Sequence, residues 1–210
     1  MKKEIFRERV MPLFGISLLI MALGSMASKS LSFVFTTRGL FIVVILEFVL
    51  LILSMLMKRK EPWNKILLFL FAFATGLTSA PIFVLAFSID PKLLVEAFII
   101  TSVFFFSLVL YSLKTKKDFR SLGGFLLALL VVTIVASIID IFFMKNRIFS
   151  LGLDIIVILI FLGMILYDMS RILRDYNDED YTAATIALYL DFLNIFIRIL
   201  SFLLRAKERE

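Results

Sequence analysis

The sequence predicts an all-α protein that crosses a membrane seven times. Hydrophobic residues make up 61% of its 210 residues, whereas soluble domains contain roughly 45–50%. The mean hydropathy is +1.04. Apolar runs longer than about 18 residues recur along the whole chain, and an α-helix of that length can cross a bilayer. Because only short charged links separate these runs, we predict a single transmembrane domain over residues 1–210.

The first predicted helix covers residues 10–33 and follows the basic start MKKEIFRER. A cleaved signal peptide is the alternative, since a basic start, an apolar run and the small residues at 24–28 are typical of one. The apolar run resumes after Lys29, however, and this favours a retained helix.

The six later helices are each bounded by polar or turn-forming residues. A basic run beginning at Lys58 ends the second helix, the dipeptide Asp90-Pro91 ends the third, and Gly123-Gly124 opens the fifth. These helices are predicted over residues 40–57, 64–88, 93–113, 121–144, 151–169 and 182–204.

The basic residues predict which side of the membrane each link occupies. They are concentrated at the N-terminus and in the links after helices two, four and six, and such links remain in the cytoplasm. We therefore expect a cytoplasmic N-terminus and, after seven crossings, an external C-terminus. The basic tail that begins at Arg205 does not follow this pattern.

Two residue types are missing, and their absence excludes several kinds of site. Without cysteine there is no disulfide or thiolate, and without histidine there is no Ser-His pair or HExxH zinc site. The net charge of +6 arises mainly from the links beside apolar runs, so we expect the lipid bilayer as a partner and no nucleic acid. We expect no cofactor and no enzymatic activity, and the sequence does not indicate a protein partner.

The candidate functional residues are two aspartates on neighbouring predicted helices. Asp168 lies near the end of helix six, and Asp191 lies about nine residues into helix seven. An ionised carboxylate in hydrocarbon costs several kcal/mol, so such residues usually face a bundle interior or a water path. Two close carboxylates tend to share a proton, and this makes the pair a candidate pH sensor. Their oxygens also suit a hard cation.

Other polar residues lie in or beside the predicted helices. Glu47 is near the middle of helix two, too deep for a helix cap, and Glu96 is one turn inside helix four. Asn194 and Arg198 follow Asp191 at positions i+3 and i+7, so the three share one helix face. We expect Arg198 to pair with an acidic group on the outer side.

Other acidic residues are expected to have structural roles. Asp140 and Asp154 are interpreted as interfacial caps at the ends of their helices. The acidic link at 175–180 lacks the spacing of a calcium-binding loop and is interpreted as a solvated link.

Two segments resemble the signature sequences of the transmembrane Bax inhibitor family. These are Ile165-Leu166-Tyr167-Asp168 and the longer segment from Ala187 to Phe196, which contains LYLDF followed by Asn194. Weaker similarity extends over Ile45-Leu46-Glu47, Ser79-Ala80-Pro81-Ile82 and Val95-Glu96-Ala97-Phe98.

The resemblance implies both a fold and a function. It implies a seven-helix bundle with helix seven at its centre, located in a bacterial inner membrane. Bacterial members are described as pH-sensitive calcium leak channels, which implies that Asp168 and Asp191 form the sensing dyad and contact Ca²⁺ as the transported ion. An arginine latch of that family matches Lys58, with Arg59 adjacent, and the implied ion path includes Glu47, Glu96, Asn194 and Arg198.

Two alternatives remain open at this stage. A non-transporting membrane scaffold or receptor is consistent with seven helices and short links. An intramembrane aspartyl protease would also carry a Tyr-Asp pair such as Tyr167-Asp168. Its second motif, GxGD, is replaced here by the sequence LYLD that ends at Asp191.

Overall fold

The computed structural model describes residues 3–140 and 147–207, and within these ranges it contains helices and no strand. Seven of the helices are long and apolar enough to cross a membrane. This confirms the predicted fold class. We label them α1 (Lys3–Ser30), α2 (Thr37–Leu56), α3 (Trp63–Ile89), α4 (Lys92–Lys114), α5 (Gly123–Ile139), α6 (Arg147–Arg174) and α7 (Tyr181–Lys207).

The predicted boundaries are close to the observed ones except at both ends of α1 and at the end of α6. Helix α1 begins at Lys3, seven residues before the predicted start at residue 10. Regular α-helix in α1 ends at Ala27, and 3-10 turns follow, so the predicted extension to residue 33 is wrong. The hydroxyl of Ser28 bonds to the carbonyl of Ser25 at this point, and such local bonds compete with a regular helix.

Helix α6 continues to Arg174, five residues beyond the predicted end at Met169. The residues from Ser170 onward are predicted as a charged link, yet cations in a last helical turn are favourable because they interact with the negative end of the helix dipole. The predicted end of helix five at Met144 and the turn at Lys145 and Asn146 lie outside the described residues.

The chain divides into two compact units. Unit one contains the chain up to Leu85 together with Ile172–Tyr189. Unit two contains Ala86–Arg171 and the chain from Leu190 onward.

In unit one, α1 and α3 approach each other closely through two glycines. A methyl group on Gly24 would lie 2.2 Å from the backbone oxygen of Phe73, and one on Gly76 would lie 2.1 Å from that of Met21. Small residues are typical of helix contacts in membranes because they let backbones approach. The first part of α7 also packs on α3, where Tyr189 meets Phe71 edge-to-face.

In unit two, α7 packs on α4 through aromatic side chains. Phe98 and Phe105 of α4 both contact Phe192 in edge-to-face geometry. Helices α3 and α7 are the most buried of the seven spans, whereas α2 and α5 expose most of their apolar side chains. Exposed apolar surface of this kind suits contact with lipid.

Candidate functional site

The two predicted aspartates lie together in unit two. Asp168 of α6 is 7% exposed and Asp191 of α7 is 2% exposed. The two carboxyl groups are close enough for the charge of Asp168 to influence Asp191. The Oδ2 atom of Asp191 has no hydrogen-bond partner among the described residues. The two carboxyl groups are therefore buried near each other, and their role as a sensing dyad stays a prediction.

Arg171 is the cation beside this dyad. Its Nη1 atom lies 3.6 Å from Oδ1 of Asp168, one helical turn away on α6. The guanidinium also stands over the ring of Tyr167, 5.3 Å from its centroid. The predicted counter-charge, Lys58, is therefore wrong for Asp168. The i, i+3 spacing of Asp168 and Arg171 is the sequence signal for the pair that forms instead.

Lys58 and Arg59 instead bind Asp180, and all three residues belong to unit one. Arg59 donates from Nε to Oδ1 at 2.8 Å and from Nη2 to Oδ2 at 2.9 Å. Lys58 Nζ lies 3.1 Å from Oδ1. The backbone N–H of Asn177 also donates to this carboxylate, at 3.1 Å. The interpretation of the acidic link as wholly solvated is therefore wrong, because Asp180 is buried and carries two ion pairs.

Glu47 lies half-buried in the middle of α2, as the sequence predicts for a residue too deep to be a cap. The hydroxyl of Thr78 on α3 donates to its Oε2 atom at 2.8 Å. Thr75 lies one helical turn before Thr78 on α3, and its hydroxyl shares a hydrogen bond with the hydroxyl of Tyr189 on α7. These four residues all belong to unit one. The first pair joins α3 to α2, and the second joins α3 to α7.

Asp154 lies at the centre of an ionic cluster in unit two. Its Oδ1 atom is 3.3 Å from Arg198, and its Oδ2 atom is 2.6 Å from Arg205 and 3.3 Å from the Ser201 hydroxyl. The expected pairing of Arg198 with an acidic group is confirmed. The interpretation of Asp154 as an interfacial cap is wrong, because its side chain is fully buried. The i, i+3, i+7 spacing of Arg198, Ser201 and Arg205 predicts a shared face of α7, but it does not identify Asp154 as their partner.

The three remaining predicted residues, Asn194, Glu96 and Asp140, differ in burial and in hydrogen-bond partners. The amide of Asn194 donates to the carbonyl of Leu190 in its own helix at 2.8 Å. Glu96 is exposed near the start of α4. Asp140, the other predicted cap, is buried and accepts a hydrogen bond from Ser150.

The dyad supplies only part of the ligand set that Ca²⁺ requires. Ca²⁺ takes six to eight oxygen ligands, and the dyad supplies two carboxylates. Within residues 3–140 and 147–207 no group of three or more acidic side chains is arranged to hold a metal ion.

Comparison with known proteins gives consistent matches along the chain. The family described as "Inhibitor of apoptosis-promoting Bax1" matches residues 4–209. An uncharacterized protein of Campylobacter jejuni is 34% identical over 205 residues, which are 95% of this chain and 88% of that protein.

Two further relatives come from a plant and a virus. Protein LIFEGUARD 2 of Arabidopsis thaliana is 33% identical over 218 residues, covering 97% of this chain and 88% of its own length. The Golgi anti-apoptotic protein of Vaccinia virus is 34% identical over 146 residues, covering 70% of this chain and 60% of its own length.

Proposed function

The chain belongs to the Bax inhibitor family, and from this membership we propose that it is a calcium leak channel gated by protonation of Asp168 and Asp191. In this proposal Ca²⁺ passes passively through the membrane and no enzymatic step takes place. The observation that carries the proposal is the buried dyad. Carboxyl groups inside apolar helices are costly to bury, and such residues are usually functional.

The dyad has the chemistry of a proton-controlled element. Two neighbouring carboxylates in a low dielectric share a proton at low pH and repel each other when both are ionised. Arg171 offers one positive charge to Asp168, while Oδ2 of Asp191 has no described partner. One arginine therefore balances one of the two negative charges. The protonation state changes the force between α6 and α7, and this change is the proposed gate.

The proposed ion path uses the polar residues of the spans. Carboxylate and amide oxygens suit Ca²⁺, and Glu47, Glu96 and Asn194 supply such groups. Arg198 contributes a positive charge that Asp154 holds in place. We place the protein in a bacterial inner membrane with a cytoplasmic N-terminus. The basic residues of the links and the similarity to a bacterial protein support this placement.

The test is Ca²⁺ flux into proteoliposomes that contain the purified protein and an internal calcium dye, measured across a pH series. We expect flux in the parent protein to depend on pH, and we expect Asp168→Asn and Asp191→Asn each to remove that dependence. Asp178→Asn, which removes an exposed carboxylate from the link before α7, is the control. Unchanged pH dependence in both dyad variants would refute the gating role.

A scaffold role is the second candidate, and the name of the viral relative, Golgi anti-apoptotic protein, favours it. In that case the parent protein would carry no flux at any pH, and its expression would still protect cells from death stimuli. An aspartyl protease would cleave an apolar reporter peptide and lose this activity in either dyad variant. Ca²⁺ flux, cell survival and peptide cleavage therefore separate the three functions.

A further inference from the structure

A charged groove lies in unit one where three helices begin. We call it the amino-terminal groove; its volume is about 410 Å³, within the range of small-molecule sites. Its lining comes from the first turns of α1, the residues around the start of α3, and the first residue of α7. The lining residues are Glu8, Arg9, Pro12, Leu13, Glu61, Lys65 and Tyr181.

The position of the groove places it at the level of lipid head groups. Three odd-numbered helices begin there, and because each span reverses direction, odd-numbered helices begin on the same side of a membrane. Trp63, at the start of α3, is 54% exposed, and exposed tryptophan is typical of a membrane–water interface. Pro12 and Leu13 lead from the charged residues toward the apolar part of α1.

The charges of the groove come in two pairs of opposite sign. Arg9 and Lys65 supply the positive charges, and Glu8 and Glu61 supply the negative ones. Tyr181 contacts three of these four charged side chains. Arg9 and Lys65 stand over its ring, 5.3 Å and 5.7 Å from the centroid, and its hydroxyl donates to Oε1 of Glu61.

We propose that this groove binds the head group of phosphatidylethanolamine, a phospholipid with one phosphate and one primary ammonium. The phosphate binds Arg9 and Lys65, the ammonium donates to Glu8, and the acyl chains follow Pro12 and Leu13. A net anionic head group is disfavoured by the two glutamates. A choline head group has no N–H donor, and the two cations already cover the aromatic face that would bind it.

The experiment measures thermal unfolding of the full-length protein in mild detergent during titration with short-chain lipids, since a ligand of the folded state raises Tm. The probes are dioctanoyl phosphatidylethanolamine, dioctanoyl phosphatidylcholine, dioctanoyl phosphatidylglycerol and free phosphoethanolamine. We expect the first to bind the parent protein most tightly. Equal stabilisation by the three lipids would overturn the proposal, and equal stabilisation by free phosphoethanolamine would overturn the assignment to a lipid.

Matched variants separate the two halves of the head group. Arg9→Gln should weaken binding of phosphatidylethanolamine about tenfold, since it removes a charge-assisted hydrogen bond. Glu8→Gln should remove the preference for ethanolamine over choline. Arg7→Gln and Glu4→Gln change exposed residues on the same helical run outside the groove and should leave binding unchanged. Full binding by Arg9→Gln, or a retained preference in Glu8→Gln, would contradict the assignment. Neither result depends on ion flux.

Discussion

Arg59 binds Asp180 through two parallel hydrogen bonds, from Nε to Oδ1 at 2.8 Å and from Nη2 to Oδ2 at 2.9 Å. The pair joins the basic run after α2 to the residue that precedes α7, 121 positions later in the sequence. Lys58 adds a second positive charge to the same carboxylate. A bidentate pair fixes orientation as well as distance, so the start of α7 is held in a defined position against the link between α2 and α3.

Asp180→Asn should therefore destabilise the protein by about 1–3 kcal/mol. The side chain of Asp180 is 4% exposed while that of Arg59 is 47% exposed, so the loss is smaller than the 3–5 kcal/mol typical of a fully buried pair. Thermal unfolding in detergent measures the change. Glu179→Gln, which alters the exposed neighbour, should stay within about 0.5 kcal/mol. Equal effects of the two variants would show that the ion pair contributes nothing to stability.

The close contact between α1 and α3 makes a second prediction about stability. Gly24→Ala would place a methyl group 2.2 Å from the backbone oxygen of Phe73. The helices would have to separate, and overpacking of this kind costs about 1–3 kcal/mol. Gly15→Ala, on the same helix, meets no atom within 4 Å and should be neutral or slightly stabilising because alanine favours helix. A Tm that is equally unchanged in both variants would contradict the observed helix contact.

The sequence was informative where a residue type conflicts with its surroundings. Asp168 and Asp191 could be identified as a pair because a carboxylate within an apolar helix is costly and therefore conspicuous. The seven spans could be predicted because length and apolar composition alone define a membrane-crossing helix.

The ion pairs of Asp180 and Asp154 could not be predicted from the sequence. Asp180 stands in a link with three other acidic residues, and nothing in the local pattern distinguishes the one that Arg59 binds from those that remain exposed. Asp154 was interpreted from its place near a predicted helix start, whereas its partners Arg198 and Arg205 come from another helix. Pairing between distant segments depends on tertiary packing, which residue spacing along one helix does not reveal.

Gly123→Ala should shift the pH response of the proposed channel. The new methyl group would lie 2.3 Å from Cε2 of Tyr167, whose ring lies beneath Arg171. Moving the ring moves Arg171 away from Asp168 and changes the charge balance of the dyad, so we expect the pH midpoint of flux to differ from that of the parent protein. Gly124→Ala meets no atom within 4 Å and is the control. Flux titrations of the two variants should differ; identical midpoints would exclude a role for Tyr167 in positioning Arg171.

Glu61 gives a prediction about acid stability. The Tyr181 hydroxyl and, secondarily, Lys65 hold the pKa of Glu61 below its ordinary value of 4.5. A lowered pKa means that the ionised form stabilises the fold above about pH 4.5 and that this contribution disappears as pH falls through the lower, folded-state value. The Tm difference between the parent and Glu61→Gln should therefore be full at neutral pH and vanish in acid. Tyr181→Phe removes the main hydrogen bond to Glu61 and should reduce the acid dependence. A Tm difference that stays constant from pH 7 to pH 3 would contradict this assignment.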